Sequence, residues 1–205
     1  MAKIGLLGGS FNPAHRGHRG ASLAALEALG LDEIWWLVSP QNPLKEKEGM
    51  APYAARFASA QAMARRAPIR ASDFEARAGT RYTVDTVRAI RRAFPQHDFI
   101  WLMGEDTVPQ FHRWKDWRRI AKTIPIAVLS RPGYKDEART ARVMGWLRWF
   151  VRPATDARNW TRWSVPAITF LNLPPDPTSA TRIRARNPDW HLDPEATART
   201  RLATP

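Results

Sequence analysis

The sequence predicts an α/β fold, a doubly wound parallel sheet with helices on both faces. Three observations carry that expectation. Apolar runs of strand length alternate with longer segments of helical period, four of the runs are nearly continuous in apolar residues, and the first ends in a glycine pair ahead of a helix. In an open sheet of this kind ligands sit beyond the carboxyl ends of the strands, where the strand order reverses, so the loops that follow strands carry most of the chemistry.

The elements follow in order. KIGLLGG at 3–9 is the first strand and turns into a helix at 17–29, and EIWWLVS at 33–39 precedes a helix at 53–66. IRASDFE at 69–75 leads to a helix at 83–94, and FIWLMG at 99–104 to one at 115–122. IAVLS at 126–130 is followed by a helix at 136–147, and AITFLNL at 167–173 by one at 179–187. These elements make one domain over residues 1–187, with a polar tail at 188–205 expected to be loose or to dock late. Residues 146–163, with Trp146, Trp149, Trp160 and Trp163, fit no element and read as a core edge or a dimer face.

Composition narrows the partners. No apolar run approaches the roughly 18 residues of a membrane helix, so no membrane association is expected. The start passes straight into strand-like sequence without the order of a secretory signal, which makes the cytoplasm the default. With no cysteine there is neither a disulfide frame nor a thiolate nucleophile. A net charge of +13 would suit a polyanion, but the arginines are scattered and no recognition-module pattern accompanies them, so no nucleic-acid partner is expected.

The junction LLGGSFNPAHRGHRG, 6–20, concentrates the signal. Glycines between a strand and a helix let backbone amides approach a phosphate, and the helix start adds positive potential. No G-x-G-x-x-G is present, and no G-K-S or G-K-T, so neither the dinucleotide fingerprint nor the Walker phosphate loop is met. His15 and His18, three apart, can point toward one pocket and stabilise charge on a phosphoryl group. A metal pair or simple capping and packing are the rival readings, and two histidines without a third ligand leave a zinc site incomplete.

GGSFNPAHRGH, Gly8 to His18, resembles the G-x-F-D/N-P-x-H-x-G-H signature of the nucleotidylyltransferase superfamily. TSATRIR at 178–184 is similar to that superfamily's I-S-S-T-x-I-R, about 160 residues further on. RYTVDTV at 81–87 resembles Y-T-x-D-T-L, LMGEDTVPQFHRW at 102–114 resembles G-x-D followed by tryptophan, and SRPGY at 130–134 resembles R-P-G-Y. These three point to the branch of bacterial nicotinate-nucleotide adenylyltransferases. Three departures stand out: Asn12 replaces the commoner Asp, and Thr178 and Ala180 stand where Ile and Ser are frequent.

The resemblance implies a Rossmann-like fold and adenylyl transfer from ATP, with Mg2+, to nicotinate mononucleotide. It makes His15 and His18 the catalytic pair on the ATP phosphates. Gly8, Gly9, Ser10, Phe11, Gly104, Asp106, Arg131, Ser179, Thr181 and Arg184 are implied to bind ATP, Asp106 by accepting from ribose hydroxyls. Asn42, Lys45, Tyr82, Thr83, Thr86 and Trp114 are implied to bind the nicotinate nucleotide, the Trp114 ring stacking on the pyridine. No metal ligands are implied. Nicotinamide mononucleotide or another phosphorylated acceptor is the alternative within the same chemistry, and a basic RNA-binding relic the alternative outside it. The resemblance allows a homodimer, although no residue demands one.

Overall fold

The computed structural model describes residues 1–40, 49–130, 133–174 and 176–195. Its strands are β1 (Lys3–Gly9), β2 (Glu33–Val38), β3 (Ile69–Ser72), β4 (Asp98–Gly104), β5 (Ile126–Leu129), β6 (Val151–Arg152) and β7 (Ile168–Leu171). All pair in parallel, in the order β3-β2-β1-β4-β5-β7-β6. The chain moves outward from β1 to β3, returns to β4 on the other side of β1 and moves outward again. The order therefore reverses between β1 and β4, and the crevice beyond their carboxyl ends is where this topology places a ligand.

Both faces of the sheet are covered because its strands are apolar at odd and even positions alike. Leu6, Trp35, Leu37, Trp101 and Met103 face one core, into which α4 (Thr83–Ala93) sends Val84, Val87 and Ile90. Ile34, Trp36, Ile100 and Leu102 face the other, packed by Ala25 and Leu29 of α1 (Arg16–Leu29) and Ala60 and Met63 of α2 (Tyr53–Ala64). That two-sided burial is what the near-continuous apolar runs required.

The remaining elements refine the sequence expectation. The third strand stops at Ser72, and the expected strand residues beyond it enter α3 (Phe74–Ala78), where Glu75 is buried. A 3-10 helix, Glu105–Arg113, follows β4 directly and leads to α5 (Trp117–Ala121). The single helix expected at 136–147 is two, α6 (Lys135–Thr140) and α7 (Met144–Leu147), because Ala141 is extended at ψ 144°. Helix α8 (Ala180–Arg186) closes the expected series.

Most of the tryptophan-rich segment is core edge. Trp160 is buried and donates to the Leu29 carbonyl, Trp163 packs on the same cluster, and Trp146 packs on the opposite one, while Trp149 is 73% exposed. Beyond Asn187 the chain docks through Trp190, which is 2% exposed, and through an Arg65–Glu195 ion pair. Among the described residues no helix is long and apolar enough to cross a membrane.

Candidate active site

The site is built first on the turn from β1 to α1. His15 is the N-cap of α1 in an extended conformation, and its backbone N–H donates to Nδ1 of His18 at 3.2 Å. That bond makes Nδ1 an acceptor, so a neutral His18 carries its proton on Nε2, where it can be donated to an anion. The two rings lie 3.8 Å apart at 39°, with His15 buried at 3% exposure and His18 partly buried. The three-residue spacing thus both caps the helix start and brings the two imidazoles together.

Phe11 wedges this pair in place. Its ring stacks on Trp36 at 5.0 Å and 21° and stands 5.0 Å from His18. Its backbone takes φ 47°, in the left-handed region that costs a non-glycine residue roughly 1–3 kcal/mol and needs the surroundings to hold it. Asn12 supplies part of that hold. Its Nδ2 donates to the Gly49 carbonyl at 2.9 Å and its Oδ1 accepts from the Ala51 amide at 3.1 Å. An aspartate could keep only the second bond, so the departure at this position has a local reason.

Helix α2 holds the same turn from behind, through two residues that the motifs did not single out. Arg56 is 2% exposed and donates to four backbone carbonyls: Ser39 at 2.7 Å, Ser10 at 2.8 Å, Pro40 at 2.9 Å and Ala51 at 3.0 Å. One turn on, Ser59 Oγ accepts from the Ala14 amide at 3.1 Å. Burial pulls the Arg56 pKa down from its ordinary value. The available signal was a charge at 56 on the helical stripe that also holds Ala60 and Met63.

The late motif meets the early one. Arg184 Nη1 donates to the Asn12 carbonyl at 2.7 Å and its Nη2 to Thr181 Oγ1 at 3.4 Å, although Asn12 and Arg184 are 172 residues apart. Arg16 donates to Thr178 Oγ1 at 2.9 Å. Ser179 caps α8 by accepting from the Arg182 amide at 3.2 Å, and its hydroxyl hydrogen is still a donor. Beside them burial pushes the Asp176 carboxyl up. Its side-chain and backbone hydrogen bonds from Thr178 and the charges of Arg16 and His15 outweigh that push and hold it below the usual range.

Two glycines of the crevice are there for close approach. A Cβ on Gly8 would come within 2.8 Å of the Trp101 ring, and one on Gly104 would collide with the Asp106 carboxylate. Gly9 and Ser10 continue the β1 turn, with Ser39 N–H donating to the Gly9 carbonyl at 2.9 Å. The Trp101 ring also connects the β1–α1 loop to the aromatic side of the crevice, where Trp114 meets it edge-on at 6.1 Å and meets Phe111 at 5.3 Å.

On that side Tyr82 and Thr83 open α4 and are half-buried. Lys115 Nζ stands 4.5 Å over the Tyr82 ring and 3.4 Å from Asp85 Oδ2, tying the Trp114 segment to the helix start. Thr86 departs from the expected ligand contact. It is 0% exposed, and its hydroxyl is engaged with Glu75 Oε1 at 3.0 Å, Thr80 Oγ1 at 2.9 Å and the Tyr82 carbonyl at 3.3 Å, so it underlies the ledge instead of lining it. Burial pushes the Glu75 carboxyl up to about 7 against the opposing hydrogen bonds of Thr86 and Ser39. Asn42, Lys45 and Arg131 lie outside the described residues. Among the described residues no three His, Cys, Asp or Glu side chains gather around a common point.

The chain matches the cytidylyltransferase-like family model over residues 6–186. It is 56% identical over 188 residues to a probable nicotinate-nucleotide adenylyltransferase of Erythrobacter litoralis, covering 92% of this chain and 86% of that protein. A protein of the same description from Parvibaculum lavamentivorans is 52% identical over 190 residues, covering 93% and 94%. In fold the chain is similar to the Plasmodium falciparum nicotinic acid mononucleotide adenylyltransferase complexed with NaAD, with a TM-score of 0.64 and 16% identity over 90% of this chain and 83% of that one.

Proposed function

This chain belongs to the cytidylyltransferase-like family, among its nicotinate-nucleotide adenylyltransferases, and from that premise we propose that it transfers the adenylyl group of ATP to nicotinate mononucleotide, forming nicotinate adenine dinucleotide and pyrophosphate in NAD biosynthesis. The observation that carries the reading is the β1–α1 turn at the reversal of strand order. There a close histidine pair, a strained amide-bearing loop and Arg184 from the far end of the chain converge.

The acceptor brings its own nucleophile, a 5′-phosphate oxygen, so the protein needs no serine or cysteine. That oxygen forms a bond to the α-phosphorus as the bond to the bridging oxygen of pyrophosphate breaks. ATP enters as its Mg2+ complex, the metal being part of the substrate. Catalysis is then positioning and charge stabilisation. His18 donates from Nε2 to the transferring phosphoryl oxygens, with His15 and the amides of Gly9, Ser10 and Phe11 beside it. Gly8 and Gly104 meet the nucleotide with backbone alone, their Cβ positions being closed off by Trp101 and Asp106, Asp106 accepts from ribose hydroxyls, and Ser179, Thr181 and Arg184 hold the triphosphate. Arg131 belongs to the same end by resemblance alone.

Trp114 stacks on the electron-poor pyridine, and the carboxylate lies beside Tyr82 and Thr83, with Thr86 as their support. Asn42 and Lys45 join this end by resemblance alone. The location proposed with this reading is the cytoplasm, and the reading requires neither a nucleic-acid partner nor a homodimer.

The test is pyrophosphate release from ATP and Mg2+ with nicotinate and nicotinamide mononucleotides in parallel, the dinucleotide identified by mass. Preference for the acid is the expected outcome. Turnover of the amide alone would move the enzyme to the alternative acceptor, and no turnover of either would overturn the reading.

A further inference from the structure

We propose that Arg56 is a positioning residue that aims the Phe11 amide of the β1–α1 turn at the nucleotide phosphates. In a trans peptide the C=O and N–H point in opposite directions. The Ser10–Phe11 bond is trans, the cis bonds of the described chain being Asn12–Pro13 and Val165–Pro166. Arg56 Nη1 draws the Ser10 carbonyl toward α2 at 2.8 Å, which turns the Phe11 N–H of the same peptide away from α2. Phe11 itself holds a left-handed φ of 47° directly after this peptide.

The remaining bonds of Arg56 show why a guanidinium is needed. Its other Nη1 hydrogen takes the Ser39 carbonyl at 2.7 Å, Nη2 takes Pro40 at 2.9 Å and Nε takes Ala51 at 3.0 Å. One planar fork thus fixes the exits of β1 and β2 and the approach to α2 in a single frame, and it turns their carbonyl oxygens, which would repel phosphate, toward itself. A lysine has three donors on one point and cannot span four carbonyls in that geometry. Ser59, one turn along, accepts from the Ala14 amide and fixes the other end of the same turn. Among the described residues no carboxylate lies within ion-pair distance of Arg56, so its positive charge is not cancelled locally behind the loop.

This inference rests on the adenylyl-transfer reading for the identity of the anion, and its test separates the two. Binding of Mg2+ and α,β-methylene-ATP, which needs no turnover, is measured by calorimetry for the wild type and Arg56→Lys, alongside the KM for nicotinate mononucleotide. Arg56→Lys is expected to lower nucleotide affinity and kcat/KM for ATP by roughly 10- to 100-fold, with the KM for the acceptor within about two-fold of wild type. Wild-type nucleotide affinity in a folded Arg56→Lys protein, or equal losses on both substrates, would overturn the proposal. The second measurement needs no variant: the Phe11 amide proton of the wild type should move downfield in NMR spectra as the analogue binds. An unmoved Phe11 resonance at saturation would overturn the proposal even if Arg56→Lys fails to fold. Loss of all acceptor turnover in the wild type with retained nucleotide binding would sink the functional reading and leave the Arg56 test standing.

Discussion

Residues 10–15 and the ledge formed by Tyr82, Asp85, Trp114 and Lys115 border the same crevice but are held by different forces. The turn is gripped from beneath by its Ser10 carbonyl on the buried Arg56, which also takes Ser39, Pro40 and Ala51, by the Ala14 amide on the buried Ser59, and by its Asn12 carbonyl on the half-buried Arg184. The ledge is joined across its top by one half-exposed ammonium, Lys115, over Tyr82 and beside Asp85, with side-chain exposures of 49% and 40% for the ion pair. Desolvated hydrogen bonds to charged groups are strong and leave costly orphans when broken, whereas an exposed pair contributes about 0–1 kcal/mol. The difference fits the roles proposed for the two sides. A transition state on phosphorus demands donors fixed in advance, while a pyridine ring needs a flat apolar face and tolerates small shifts.

The sharpest way to break this contrast is at His18. Removing a single preorganised donor typically costs about 100- to 1000-fold in rate, and His18→Ala is expected to show that loss in kcat with its melting temperature near that of wild type. A wild-type turnover rate would remove the turn from the chemistry.

Next in size is the footing of the ledge, where Glu75 is pushed up to about 7 by burial. Its folded pKa lies above its unfolded one, so the folded state binds more protons between about 4.5 and 7. The associated stability is present at low pH and is lost as pH rises through 7, an effect on the order of 3 kcal/mol. Glu75→Gln should flatten this part of the pH dependence and melt above wild type at pH 8. Parallel melting curves from pH 5 to 8 would show that Glu75 does not titrate in this window.

Trp114→Ala should act on the acceptor alone. Aromatic stacking on a base is worth roughly 1–3 kcal/mol, so the KM for nicotinate mononucleotide should rise about 10- to 100-fold while ATP-analogue affinity is kept; a loss on the ATP side instead would dissolve the division into two ends. The smallest effect belongs to Lys115→Ala, whose exposed ion pair predicts a stability change under about 1 kcal/mol, and smaller still in high salt. Chemical denaturation at two ionic strengths checks it, and a larger loss would mean that the ledge is held as tightly as the turn.

Local chemistry determined much of this protein from the sequence alone. Near-continuous apolar runs can only be buried on both faces, and a Gly-Gly turn into a helix with histidines three apart can only place both imidazoles at that helix start. The β1–α1 junction, six strands and the caps of α1 and α8 are visible in such patterns because their causes lie within a few residues of one another. The two-residue β6 has too little periodicity to show, and the 3-10 helix after β4 contains Pro109 and follows no 3.6-residue stripe. Trp190 docks from a mostly polar segment in which nearby Leu192 stays 76% exposed, so its burial too is decided by the partner surface and not by its neighbours.

Only the tertiary structure decided which polar groups serve the site from below. The grip of Arg56 on Ser10 spans 46 residues, that of Arg184 on Asn12 spans 172, and Thr86 is turned inward to Glu75, 11 residues before it. The Ser10 and Asn12 acceptors are backbone carbonyls, which every residue possesses, so neither partner carries a mark in the sequence. The two arginine pairings exist because the sheet order brings β1, β2 and the α8 start to one edge, and that order is a property of the packed molecule.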